Sequence, residues 1–322
     1  MRRRIEFKTG KFMLFLLARV VHLLPRNAAL GLGRALGQCA PRLSQRHYLR
    51  VLTDIEQAFP EANAEAIARQ AYMRLGESLI EFLKLPSMTA EEISQWARLE
   101  GTEYLDDALA KGKGVILLTG HMGNWELCGA MMGLSQYKTT AIAREQEDTA
   151  LTSLLFRTRE AHGLTVVPMT DVRSCIRVLK RNECLGVVGD VNANIPGAFV
   201  QFLGRPAATY TGAAYLALTT GATILPMFDE RLPDKTHICR IGPPIPVSQT
   251  GDRNYDLLIT TIRGQRIIEN EIRRRPHDWF WQVQRWKTRP EDIPHPDRIP
   301  MEHRDLQAGE VDELLECVPQ CH

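Results

Sequence analysis

The chain has 322 residues, of which 44% are hydrophobic and 24% charged, and its formal net charge is +2. That length gives one large domain or two modest ones with a substantial core, and the balance excludes an intrinsically disordered chain. Seven cysteines (39, 128, 175, 184, 239, 317 and 321) are scattered with no CxxC pair in the body, which argues against a zinc site or redox dithiol and for a reducing compartment.

The small net charge conceals a polar distribution along the chain. Residues 1–50 hold eleven Lys/Arg and a single acid, Glu6, leaving 29 bases against 37 acids in the rest. The same segment holds the apolar run FMLFLLA at 12–18, continuing past Arg19 through Val20, Val21, Leu23 and Leu24 to Pro25. A spanning helix needs about 20 apolar residues, and this run is shorter and interrupted by Arg19 and His22. No small-x-small cleavage site follows Leu24, and LGQC at 36–39 has Gln38 where a lipoprotein box has a small residue. Residues 1–25 are therefore expected to form a basic, apolar helix lying in the membrane interface; the alternative is a core helix with a solvated basic start.

Residues 26–100 read as a helical N-terminal part. In AEAIARQAYMRLGESLIEFLKL, apolar residues recur at three- and four-residue spacing, and Pro60 and Pro86 punctuate the pattern. Gly31 and Gly33 match a nucleotide loop poorly, since no strand precedes them; close helix packing is the simpler account. From residue 101 to 300 short apolar runs alternate with helical stretches. The runs fall at 115–119, 139–143, 164–168, 185–189, 222–228 and 237–241; the helical stretches at 126–134, 147–162, 172–181, 211–220 and 255–276. This alternation predicts an α/β fold with a largely parallel central sheet flanked by helices, preceded by the N-terminal helical segment. Residues 301–322 are polar and expected to be a disordered tail.

Ligands of open α/β sheets collect outside the carboxyl ends of strands. The run at 115–119 is followed by GHMGNWE, with Asn124 placed to cap a helix and Glu126 in its first turn. The run at 185–189 is followed by Asp190, and that at 222–228 by Asp229, Glu230 and Arg231. His121 and Glu126 have the chemistry of a dyad, in which a neutral imidazole takes the proton of an attacking hydroxyl and a carboxylate fixes its tautomer. Taken alone, the spacing favours a capped turn around a packed histidine, since a histidine and an acid five apart often arise by chance.

GHMGNWE after a strand resembles the first block of the lysophospholipid acyltransferase superfamily, and its Gly-Asn-Trp-Glu form is similar to the branch of late lipid A acyltransferases. Further similar blocks are IEQAFPE with NAEAIARQAYMRLGESLIEFLKL, then RTREAHGLTVVP, GVVGDVNANIPGAFVQFLGRPAATYTG and WFWQVQRWKTRPED, in order over about residues 10–292. The resemblance implies His121 as general base, Glu126 as its carboxylate, and Arg159 as a substrate-binding arginine, with Arg157 and Arg144 as further candidates. The later acidic position falls on Asp190, suited to orienting an arginine or an acceptor hydroxyl; a strand-end Asp capping the next turn is the alternative. Guanidinium groups bind phosphates bidentately, and the backbone amides of Gly123 and Asn124 are candidates for stabilising an oxyanion. The closing block departs from the family at Gln282, where a histidine is frequent. Trp279, Phe280, Trp281 and Trp286, with Arg285, Lys287 and Arg289, suit a headgroup-level rim or core packing alike.

The resemblance thus implies an O-acyltransferase on the cytoplasmic face of the inner membrane, held peripherally or monotopically. It would move an acyl chain from an acyl carrier protein or coenzyme A thioester to a hydroxyl of a lipid A precursor, with no metal, no further cofactor and no nucleic-acid partner. Acylation of another membrane glycolipid or a lysophospholipid is the alternative within enzymes, and a non-catalytic membrane-binding homologue the alternative outside them. Cys128 as an acyl-carrying thiol is disfavoured, since it follows Glu126 on the inward side of an apolar helix.

Overall fold

The structure, a computed structural model, describes residues 17–143, 156, 158–194, 197–289 and 292. Most of the basic apolar segment, the larger part of the helix expected at 147–162, and the tail at 301–322 lie outside these residues. Residues 17–23 are helical, and among the described residues no helix is long and apolar enough to cross a membrane.

Four helices follow: α1 (Arg26–Leu43), α2 (Gln45–Ala58), α3 (Ala64–Lys84) and α4 (Ala90–Trp96). Helix α3 starts where the Asn63 side chain accepts the Ala66 N–H, and α4 starts in a capping box of Thr89 and Glu92. Helices α1 and α3 approach until backbone meets backbone. A Cβ on Gly37 would stand 2.1 Å from the Tyr72 carbonyl oxygen, and one on Gly76 2.0 Å from that of Gly33. Gly33 and Gly37 therefore serve close helix packing, whereas a Cβ on Gly31 would meet nothing within 4 Å, so the packing account does not extend to Gly31.

Strands β1 (Ala97–Glu100), β2 (Val115–Thr119), β3 (Thr139–Ala143), β4 (Thr165–Pro168), β5 (Cys184–Val188), β8 (Thr223–Arg231) and β9 (His237–Ile241) make one sheet in the order β1-β9-β8-β2-β5-β3-β4. Every neighbouring pair is parallel except β8 and β9. The sheet is flanked by α5 (Thr102–Leu109), α6 (Trp125–Leu134), α7 (Val172–Lys180), α8 (Gly212–Thr220) and α9 (Arg253–Arg274). The expected α/β architecture, with its helical N-terminal segment, is the one found. Central strand β2 is buried on both faces, hence its unbroken apolar sequence. Ile116 and Leu118 face a core shared with Leu216 of α8 and Ile268 of α9, whereas Val115 and Leu117 face Cys128 and Met132 of α6.

Three features depart from the expected pattern. Helix α5 precedes β2 where no helical stretch is expected. Strand β1 joins the sheet edge beside β9. A separate hairpin pairs β6 (Ala198–Phe202) with β7 (Arg205–Thr209) through Leu203 and Gly204, both at positive φ (49° and 80°).

Candidate active site

The centre of the site follows from the sheet order. Parallel strands β2 and β5 are neighbours in a register that sets Thr119 beside Val188, and the Gly189 N–H extends the ladder to the Thr119 carbonyl at 2.8 Å. Two residues beyond each strand end stand His121 and Asp190. The His121 backbone N–H donates to Asp190 Oδ2 at 2.7 Å, and its Nδ1 lies 2.7 Å from Asp190 Oδ1. Trp279 Nε1–H donates to Oδ2 at 2.7 Å. Burial works to raise the Asp190 carboxyl, but the charge and hydrogen bonds of His121 and the Trp279 indole outweigh it and hold the group below the ordinary carboxylate range. An ionised carboxylate only accepts, so Nδ1 carries the proton and Nε2 is the basic nitrogen.

The ring is held from its sides as well. Trp125 meets it edge-on at a centroid distance of 4.8 Å, Phe280 lies 6.0 Å away, and the Phe280 N–H donates to the His121 carbonyl at 2.9 Å. The His121 side chain remains 19% exposed. It faces a cavity of about 710 Å³ that runs between the sheet and helices α7, α8 and α9. Leu118, Ile142, Val187, Leu216 and Ile224 give the cavity apolar walls, while Arg159 and Gln265 supply polar groups.

The expected partnership of His121 with Glu126 is corrected. Glu126 is taken by Arg159, which donates from Nε to Oε2 at 2.9 Å and from Nη2 to Oε1 at 2.7 Å, while Trp125 Nε1–H donates to Oε1 at 3.1 Å. Geometry explains the exchange. The turn carries the chain into α6 with the Trp125 ring against the imidazole, and the Nδ1 position is filled from β5. Arg159 is mostly buried; burial lowers its pKa, yet the Glu126 pairing leaves the net shift upward. Arg144 and Arg157 lie outside the described residues.

The amides proposed for an oxyanion are also corrected. The Gly123 N–H donates to the Asp278 carbonyl at 2.9 Å and the Asn124 N–H to Asp229 Oδ2 at 2.7 Å, so both are spent inside the protein. The Asn124 side chain does cap α6, accepting the Leu127 N–H at 3.1 Å.

Trp279, Trp281 and Arg285 are buried, so the core reading of the closing block holds for them and the headgroup rim does not. Arg285 donates to the carbonyls of Val191 and Ala208, to Thr209 Oγ1 and to Gln265 Oε1, clamping the segment after Asp190 to β7 and α9. Burial pulls its guanidinium down to about 10. Cys128 is buried and its thiol pushed well up by desolvation, so it is a core residue. With Asp229 and Cys239 it forms the one metal-like cluster among the described residues, but both Asp229 oxygens are already engaged by His237 and Asn124.

A family profile described as bacterial lipid A biosynthesis acyltransferase matches residues 2–288. The lipid A biosynthesis lauroyltransferase of Escherichia coli (strain K12) is 26% identical over 276 residues, covering 84% of this chain and 89% of its own. The palmitoleoyltransferase of the same strain is 25% identical over 272 residues, covering 83% and 87%. The phosphatidylinositol mannoside acyltransferase of Mycolicibacterium smegmatis is 26% identical over 284 residues, covering 83% and 88%.

Proposed function

The chain belongs to the bacterial lipid A biosynthesis acyltransferases, and on that premise we propose that it transfers a fatty acyl chain from an acyl carrier protein thioester to a hydroxyl of a lipid A precursor by direct attack. The observation that carries this reading is the His121–Asp190 pair, 2.7 Å apart, at the edge of a largely apolar cavity of about 710 Å³.

The acceptor oxygen attacks the thioester carbonyl carbon as His121 Nε2 takes its proton, and Asp190 stabilises the imidazolium that forms. The tetrahedral intermediate collapses with cleavage of the C–S bond, and the imidazolium returns the proton to the departing thiolate. The products are an ester and a free thiol. The donor is already activated, so positioning and proton transfer suffice without a metal or further cofactor. The acyl chain occupies the cavity, gaining about 0.8 kcal/mol per buried CH₂. Arg159 spends its Nε–H and one Nη2–H on Glu126; its remaining N–H groups serve a phosphate of the acceptor or of the donor arm. The reaction takes place on the cytoplasmic face of the inner membrane, with the protein held peripherally through its basic, apolar N-terminal segment.

Purified protein supplied with matched acyl carrier protein and coenzyme A donors, and with either a lipid A precursor or a phosphatidylinositol mannoside, tests the reading. Mass spectrometry is expected to show acylation of the lipid A precursor from the carrier donor, abolished in His121→Ala. Transfer only to the mannoside would reassign the acceptor, and an active His121→Ala would remove the base.

A further inference from the structure

The turn that carries His121 is held from behind by a buried charged cluster that does not line the cavity. Gly123 has φ +56°, and a Cβ there would stand 2.3 Å from Asp229 Oδ2. The next amide, of Asn124, donates to that same oxygen at 2.7 Å. Asn124 Nδ2–H donates to Glu81 Oε2 at 2.9 Å, and the Ser78 hydroxyl donates to the Gly123 carbonyl at 3.2 Å. Between the two carboxylates lies His237, fully buried, with Nδ1 2.9 and 3.0 Å from the Asp229 oxygens and Nε2 3.2 Å from Glu81 Oε1. Arg231 closes the cluster with 2.6 Å bonds to both Glu81 oxygens. Helix α3, strands β8 and β9 and the catalytic turn thus meet in one hydrogen-bonded unit.

Such a cluster adds little stability over well-packed apolar residues of the same volume, because desolvation offsets most of the attraction between buried charges, although removing one member strands the others at a cost. What it supplies is direction: each carboxylate oxygen faces a donor whose position it fixes. We propose that Asp229 is a positioning residue for acyl transfer: braced by His237 and Glu81, it fixes the Gly123–Asn124 turn and thereby places the His121 imidazole against the acceptor hydroxyl. The inference rests on His121 acting as the base, as set out above. A misplacement of about 1 Å at a reacting group costs on the order of 100-fold in rate, so the signature is a loss of kcat with KM preserved.

The test compares Asp229→Ala with Asp229→Asn. The alanine leaves the Asn124 N–H without its acceptor, and kcat should fall roughly 10- to 100-fold with KM for donor and acceptor unchanged. The asparagine carbonyl still accepts the Asn124 N–H, while its amide donates to Nδ1 of a neutral His237 that keeps Nε2–H on Glu81. It should recover most of the loss. In ¹⁵N-histidine NMR the His121 ring signals should move in the alanine variant and return in the asparagine variant. A folded Asp229→Ala with wild-type kcat overturns the proposal, as does a rise in KM matching the fall in kcat, or an asparagine variant as impaired as the alanine. Where Asp229→Ala does not fold, Gly123→Ala, which drives a Cβ against Asp229 Oδ2 and leaves the cluster chemically intact, must lower kcat in the same way; wild-type kcat there assigns Asp229 a purely structural role. The NMR arm needs no substrate, so a wild-type protein that transfers nothing would sink the proposed reaction and leave this inference to be decided by the His121 signals.

Discussion

His121 and Asp190 are 69 positions apart in sequence, and their side chains meet at 2.7 Å because β2 and β5 lie side by side and both leave the same edge of the sheet. The carboxylate receives three N–H groups, from the His121 backbone, the His121 ring and the Trp279 indole. It therefore acts as a fixed acceptor that selects one tautomer.

Asp190→Asn keeps the shape but sets an NH₂ group against at least one of those donors. The cheapest relief is for His121 to move its proton to Nε2, the nitrogen that must accept the hydroxyl proton. Turnover should fall by about 10²- to 10⁴-fold, with KM and the melting temperature little changed. Steady-state kinetics alongside a thermal melt checks this, and turnover close to wild type would take Asp190 out of the mechanism.

The base was legible in the sequence and its partner was not, for a physical reason. A histidine two residues past the run at 115–119 is a local feature, visible in VILLTGH. The carboxylate on its ring comes from a strand that inserts between β2 and β3, and strand order is fixed by non-local packing that no local pattern records. Glu126 was the nearest acid in sequence, but Arg159, 33 positions on, claims it. Asp229 was visible as a polar residue after the apolar run at 222–228, although β8 continues through it to Arg231, whereas Glu81 gave no signal, since it lies within the amphipathic pattern of α3. Strand β1 escaped notice because ARLE is short and half charged, and the β6–β7 hairpin because Leu203-Gly204 lacks the Asn-Gly or Asp-Gly signature of a two-residue turn.

Glu126 and Arg159 form a bidentate pair at the cavity, so their effects on catalysis should not add. Glu126→Ala frees the guanidinium to swing, and Arg159→Ala strands a carboxylate that is only slightly exposed. Each single variant should lose most activity with modest loss of stability, and the double variant should be little worse than the poorer single one. In a double-mutant cycle on kcat/KM, a coupling of roughly 0.5–3 kcal/mol is expected for residues in one network. Strict additivity would show that the two act apart, and near-wild-type turnover of Glu126→Ala would leave Glu126 no role in the reaction.

His237 should make stability depend on pH in the alkaline direction. Burial acts to lower its pKa, but Asp229 and Glu81 on either side outweigh burial and raise it from 6.5 to about 9. The folded value exceeds the unfolded one, so the imidazolium's contribution is fully present below pH 6.5 and is lost as pH rises through about 9. At about 1.4 kcal/mol per pH unit of separation, the loss is on the order of 3 kcal/mol. Lysines and tyrosines titrate at the upper end of this range, so the comparison is with His237→Gln. Denaturant midpoints should show the wild type well ahead of the variant at pH 6 and the gap shrinking steadily to pH 9.5. A gap that stays constant across that range would mean that His237 is neutral in the folded protein, and that the two carboxylates are held apart by Arg231 and the Asn124 amide alone.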